Sequence, residues 1–192
     1  MQISSPRHSL YWLPNALTLS RIALIPLLIW GILSAEPPPN MIALSIFIYC
    51  AITDFLDGYL ARKWKLVSDF GRMLDPIADK LLVAGCLMAF MIKFGGSWII
   101  LVPSIAIIFR DIFISGTREH AANADIILSP TKLAKWKTAT EMLAITLLLV
   151  GLAVHTNAHT SALMTHIGFG FLWLAACLSL YTGLHYIRET FR

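Results

Sequence analysis

The chain has 192 residues, 57% of them hydrophobic and 14% charged, with a formal net charge of +4 and a mean hydropathy of +0.71. That balance is far more apolar than a soluble domain's and places the chain in a membrane as a single domain over residues 1–192, with room for about six spans of roughly 20 residues. A nucleic-acid reading of the basic excess is excluded, because the basic residues spread along one membrane side, where anchoring to anionic lipid accounts for them, and no nucleic-acid motif accompanies them.

Residues 1–13, with Tyr11 and Trp12 ahead of Pro14, read as a short N-terminal interfacial segment. No removable signal peptide precedes the first apolar run, so that run is expected to serve as its own uncleaved signal. Apolar runs and their breaks predict an all-α integral membrane protein with six transmembrane helices near 15–35, 40–63, 73–93, 97–118, 132–154 and 160–188. Pro37, Pro38 and Pro39 are expected to end the first hairpin, Gly95 and Gly96 to turn the second, and His155 to Thr160 to turn the third. Fourteen of the 15 Lys and Arg residues fall on the side shared by both termini and only Lys93 falls opposite, which makes both termini cytoplasmic. Cys50, Cys86 and Cys177 lie in apolar runs without C-x-x-C spacing; they read as buried small residues, not as a disulfide framework or zinc site.

Four aspartates interrupt this apolar pattern at the cytoplasmic edge. Asp54 and Asp57 close the second predicted span and Asp75 and Asp79 open the third, each pair sharing a helix face. Four carboxylates this close repel unless cations compensate them, and two divalent ions cancel a formal charge of minus four. Oxygen-only donors point to Mg2+ or Mn2+ in place of zinc. Gly58, Ala61 and Gly71 project almost nothing and leave backbone open to a bulky ligand, while Arg62 offers a fork of donors to a phosphate. Acids, divalent metal, open backbone and arginine together describe a diphosphate site.

The run D-x2-D-G-x2-A-R-x8-G-x3-D-x3-D, filled by Asp54, Asp57, Gly58, Ala61, Arg62, Gly71, Asp75 and Asp79, resembles the signature of the CDP-alcohol phosphotransferase family at all eight positions. Pro14, Asn15, Thr18 and Arg21 are similar to that family's opening P-N-x-x-T-x-x-R. The resemblance implies a six-helix membrane fold, usually a homodimer, in which Asp54, Asp57, Asp75 and Asp79 hold two metal ions beneath a CDP-linked lipid. It further implies that Asp79 is also the general base, that Gly58, Ala61, Arg62 and Gly71 contact the CDP moiety, and that Asn15 and Thr18 help bind the nucleotide.

A second basic cluster bears on the acceptor. Arg110 and Arg118 near the end of the fourth span, with Lys135 and Lys137 at the start of the fifth, converge on the membrane side of the aspartates. Arg110 follows an apolar run, where a charge is costly without a polar cavity or an anion. Arg110, Arg118 and Lys135 are therefore expected to hold the phosphate of an anionic acceptor. The segments Arg110–Glu119 and Leu133–Thr138 resemble the bacterial branch of the family that uses CDP-diacylglycerol as donor and glycerol 3-phosphate as acceptor, which implies an inner-membrane enzyme of phospholipid biosynthesis with its site facing the cytoplasm. Asp111 stands where that branch more usually has Glu, and Ala134 where Gly is frequent; an Arg-Asp pair also occurs in cardiolipin-forming members.

Direct transfer is expected: the acceptor hydroxyl attacks the lipid-side phosphorus, CMP departs and Asp79 takes the proton. No H-x-K-x4-D motif surrounds any of the six His residues, which disfavours a covalent histidine route. Cardiolipin, phosphatidylserine and inositol-phosphate products are the alternatives within the class. A divalent-cation transporter is the alternative outside it, disfavoured because all four acids lie at one membrane edge and transport needs a path across. Glu141, one turn into the fifth span, has no role in this reading.

Overall fold

In a bilayer every backbone N–H and C=O of a spanning segment must be satisfied internally, so long apolar runs become helices. The computed structural model describes residues 12–35, 37–64, 69–123, 132–154 and 157–190. Within them lie α1 (Trp12–Leu33), α2 (Pro37–Trp64), α3 (Asp69–Lys93), α4 (Trp98–Asn123), α5 (Lys132–Ala153) and α6 (Ala158–Thr190). The segments Asn15–Leu33, Trp98–Glu119, Lys135–Ala153 and Ala158–Leu184 are long and apolar enough to cross a membrane. With four such segments, the all-helical chain is that of an integral membrane protein.

The helices pack as a closed circuit in which α1 touches α2 and α3, α2 touches α5, α5 touches α6, α6 touches α4, and a slimmer contact joins α4 to α3. Leu28, Phe47, Leu87, Phe90, Ile107, Leu148 and Leu172 fill the interior, while Trp30, Ile92, Phe109, Ile112 and Leu184 are exposed on the outside. Both faces being apolar is what a lipid solvent requires.

Small residues set the closest approaches. A Cβ at Gly31 would stand 2.6 Å from the Pro39 carbonyl oxygen and 2.9 Å from the Ala43 Cβ, so α1 and α2 meet backbone to backbone there. Gly31→Ala is expected to lower stability by about 1–3 kcal/mol, read as a fall in apparent melting temperature in detergent. Gly116→Ala, where nothing lies within 4 Å of the added Cβ, is the matched control and should leave it unchanged.

The turns agree with expectation in part. Gly95 and Gly96 adopt φ of 67° and 65°, the left-handed region that glycine enters freely. Asn157 Oδ1 accepts from the backbone N–H of His159 at 3.1 Å and of Thr160 at 3.4 Å, capping α6. The prolines differ: Pro37, Pro38 and Pro39 form the first turn of α2, because a first-turn residue has no helical acceptor to lose and proline presets φ there. Trp12 to Pro14 likewise belong to α1; Tyr11 and the rest of the expected interfacial lead-in lie outside the described residues. Cys50 and Cys86 are buried, but Cys177 is exposed, since an apolar run in a membrane helix supplies the lipid face as well as the core.

Candidate functional site

Three helices bring charge together at one end of the bundle. Asp54 comes from the C-terminal half of α2, and Asp75 and Asp79, one turn apart, from the N-terminal half of α3. Between them sits Arg21 of α1, only 1% exposed. Its Nη1 donates to Asp54 Oδ1 at 2.7 Å and to Asp79 Oδ1 at 2.9 Å, and its Nη2 lies 3.5 Å from Asp75 Oδ1. Thr18 Oγ1, one turn earlier on α1, donates to Asp75 Oδ1 at 2.6 Å. Asn15 lies a further turn back on α1, and buried Gly71 lies one turn before Asp75 on α3.

Arg21 is legible in sequence only as a letter in the opening motif, yet it is the hub. An arginine in an otherwise apolar helix is expensive without a counter-ion, and that cost is the available signal. One guanidinium faces three described carboxylates, each about half exposed, so by formal charge it offsets only one of them.

A hard divalent cation suits this donor set, which offers carboxylate oxygens and one hydroxyl but no nitrogen or sulfur ligand. Among the described residues no group of three acidic, His or Cys side chains is arranged to hold a metal ion; Asp54, Asp75 and Asp79 all face Arg21 instead. Asp57, Gly58, Ala61 and Arg62 continue α2 in sequence, and their side chains lie outside the described residues.

Next to this cluster a cavity of about 440 Å³ opens between α3, α4 and α5, where the circuit of helices is slimmest; Asp79, Lys80, Arg110, Asp111, Arg118, Lys137 and Glu141 line it. Of the three aspartates around Arg21 only Asp79 also lines the cavity. Arg110 is fixed from two sides: Nη1 donates to Asp111 Oδ1 at 3.1 Å, Nε to the Ser179 carbonyl at 3.0 Å and Nη2 to Thr182 Oγ1 at 2.8 Å. Gly183 makes room for it, since a Cβ there would stand 3.1 Å from Arg110 Cγ. Arg118 donates to the Tyr186 hydroxyl at 2.8 Å, with its guanidinium carbon 4.9 Å from that ring's centroid.

Of the four residues of the basic cluster, Arg110, Arg118 and Lys137 line this cavity. Lys135 is exposed and absent from the cavity lining, whereas Lys137 is 3% exposed and lines it. Positions two apart on a helix are turned by about 200°, so Lys135 and Lys137 cannot share a face. Lys137 Nζ lies 2.7 Å and 2.8 Å from the two Asp111 oxygens and 2.7 Å from Glu141 Oε2. Glu141 thereby acquires a partner, one turn along α5. Lys80, adjacent to Asp79, carries no signal in the sequence beyond its charge, and it lines the same cavity.

Comparison with known proteins gives a consistent family. The profile described as CDP-alcohol phosphatidyltransferase matches residues 11–181. The chain is 39% identical over 176 residues to a CDP-diacylglycerol--glycerol-3-phosphate 3-phosphatidyltransferase of Rickettsia bellii, covering 92% of this chain and 93% of the relative. It is 41% identical over 199 residues to CDP-diacylglycerol--glycerol-3-phosphate 3-phosphatidyltransferase 2 of Arabidopsis thaliana, covering 94% and 80%. It is also 39% identical over 198 residues to a cardiolipin synthase (CMP-forming) of Oryza sativa subsp. japonica, covering 97% and 60%.

Proposed function

Because the chain belongs to the CDP-alcohol phosphatidyltransferase family, we propose that it transfers the phosphatidyl group of CDP-diacylglycerol to glycerol 3-phosphate, releasing CMP and leaving phosphatidylglycerophosphate. The observation that carries this reading is the cation-lined cavity that opens directly onto Asp79 of the carboxylate cluster. A donor held at the cluster and an anionic acceptor held in the cavity would meet at one carboxylate.

In this mechanism the primary hydroxyl oxygen of glycerol 3-phosphate forms a bond to the lipid-side phosphorus of the donor. The bond from that phosphorus to CMP breaks, and Asp79 accepts the hydroxyl proton. Asp54, Asp57, Asp75 and Asp79 would hold two divalent cations, Mg2+ or Mn2+, which when bound supply charge neutralisation on the diphosphate and on departing CMP. Asn15, Thr18, Gly58, Ala61, Arg62 and Gly71 would contact the CDP moiety; for Thr18, its hydrogen bond to Asp75 supports a position at the carboxylate cluster. Arg110 and Arg118 hold the acceptor's phosphate and convert an encounter between two anions into an oriented one.

The same reading extends to six spans, both termini and the site on the cytoplasmic side of a bacterial inner membrane, one domain over the whole chain, and a homodimer. The bias of basic residues to one side and the likeness to the Rickettsia enzyme support it.

Purified protein given CDP-diacylglycerol, magnesium and each acceptor in turn tests the assignment: glycerol 3-phosphate should yield CMP and phosphatidylglycerophosphate. A second reading, cardiolipin formation, is favoured by the Oryza relative and the Arg110–Asp111 pair. Cardiolipin as the lipid product, with glycerol 3-phosphate inert, would establish it instead. Arg110→Ala is expected to raise the KM for glycerol 3-phosphate by about 10 to 100 fold, the size of one charge-assisted hydrogen bond, with the KM for CDP-diacylglycerol nearly unchanged. Equal shifts in both would remove Arg110 from the acceptor pocket.

A further inference from the structure

Glu141 is a buried acid whose ion pair accounts for only half of its carboxyl group. The residue is 2% exposed and lies in a segment apolar enough to cross a membrane, where an acid is retained only with a partner. Lys137, one turn earlier on α5, meets its Oε2 at 2.7 Å. Oε1 has no hydrogen-bond partner among the described residues, and an acceptor left buried and unmet carries its full cost of desolvation. Holding Lys137 does not explain that atom, because both oxygens of Asp111 already hold the ammonium, at 2.7 Å and 2.8 Å.

Glu141 lines the same cavity as Asp79 and Asp111, and the other two acids are committed. Asp111 is held by Lys137 and Arg110, and Asp79 is the proposed base. A phosphate oxygen would meet Oε1 with repulsion. A hydroxyl can meet it whether the carboxyl group is ionised or protonated, because a hydroxyl both donates and accepts. Glycerol 3-phosphate brings two hydroxyls into the cavity. The primary one is consumed in the transfer and gives its proton to Asp79, which leaves the secondary hydroxyl on the middle carbon. We infer that Glu141 is a specificity-determining residue whose Oε1 forms a hydrogen bond with that secondary hydroxyl, so that the cavity reads a vicinal diol and not merely an alcohol that carries a phosphate. The inference rests on the acceptor site proposed above and adds to it the part of the acceptor that no cation can recognise.

The test compares glycerol 3-phosphate with 3-hydroxypropyl phosphate, which keeps the phosphate and the attacking primary hydroxyl and lacks only the secondary one. Lipid product formed from CDP-diacylglycerol and magnesium is measured for wild type, Glu141→Met and Glu141→Gln. Wild type should favour glycerol 3-phosphate by about 10 to 100 fold in kcat/KM, the size of one buried hydrogen bond to a charged group. Glu141→Met should shrink that ratio by about tenfold or more. Glu141→Gln keeps a polar atom that can meet a hydroxyl and should retain most of it. Any intrinsic difference between the two alcohols as nucleophiles is common to all three proteins, so the change in the ratio reports the contact. If Glu141 serves only to hold Lys137, Glu141→Met lowers both acceptors together and leaves the ratio intact, and that result overturns the inference. Should Glu141→Met not fold, a wild type that uses both acceptors equally well overturns it as surely. Failure of the acceptor assignment looks different: wild type then forms no lipid product from glycerol 3-phosphate at all, and the role of Glu141 falls with it.

Discussion

Asp79→Asn is expected to bind CDP-diacylglycerol almost as wild type does and to lower kcat by about 100 to 10,000 fold, the usual range for loss of a general base. The substitution is nearly isosteric and retains an oxygen for Arg21 Nη1, which lies 2.9 Å from Asp79 Oδ1, so the cluster should stay closed. What is lost is the group that accepts a proton at the border of cluster and cavity. Asp54 and Asp75 touch the same guanidinium but do not line the cavity. Single-turnover release of CMP measures the step directly, and normal turnover would remove Asp79 as the base. A magnesium titration separates its two proposed roles. A ligand defect is recovered at high metal, whereas a missing base is not.

The helices are readable in the sequence because backbone satisfaction in lipid leaves no other choice for a long apolar run, and the observed elements lie within a few residues of those expected. What composition does not reveal is which face of each helix points inward. In a membrane the core and the lipid-facing surface are both apolar, so Cys177 reads like Cys50 until α6 is packed. The prolines mislead for a related reason, since Pro37 to Pro39 break a helix that precedes them and equally well start one that follows.

The aspartate motif is legible because acids at fixed helical spacing in apolar surroundings cost too much to persist without a cation or a polar ligand to meet them. Its counter-ion is not, because Arg21 is separated from Asp54 by 33 positions and from Asp79 by 58, and only the packing of α1 against α2 and α3 brings them together. Lys135 and Lys137 show the finer limit. Both are basic residues at the start of α5, and the helical register alone turns Lys137 inward to Asp111 and Glu141.

Arg21→Met is the other change with a large expected effect, this time on stability. Methionine keeps much of the length and all of the apolar packing of the arginine stem, so the difference reports the guanidinium. Removing one member of a buried ion pair typically costs about 3–5 kcal/mol because the remaining charge is uncompensated. Here the carboxylates are about half exposed, and water screens part of their repulsion, which places the loss at the lower end, about 3 kcal/mol. The measurement is the apparent melting temperature in detergent, with chelator and with millimolar magnesium. In chelator Arg21→Met should melt well below wild type. Magnesium should narrow that gap, because a cation that binds only the folded cluster stabilises it by mass action and has more uncompensated charge to meet in the variant. Arg21→Lys should fall between, since a single ammonium restores the charge but cannot span three carboxylates as the planar fork does. If instead Arg21→Met melts at the same temperature with and without magnesium, the carboxylates gather for the arginine's sake alone, and the metal-binding role proposed for them is lost even though the fold is correct.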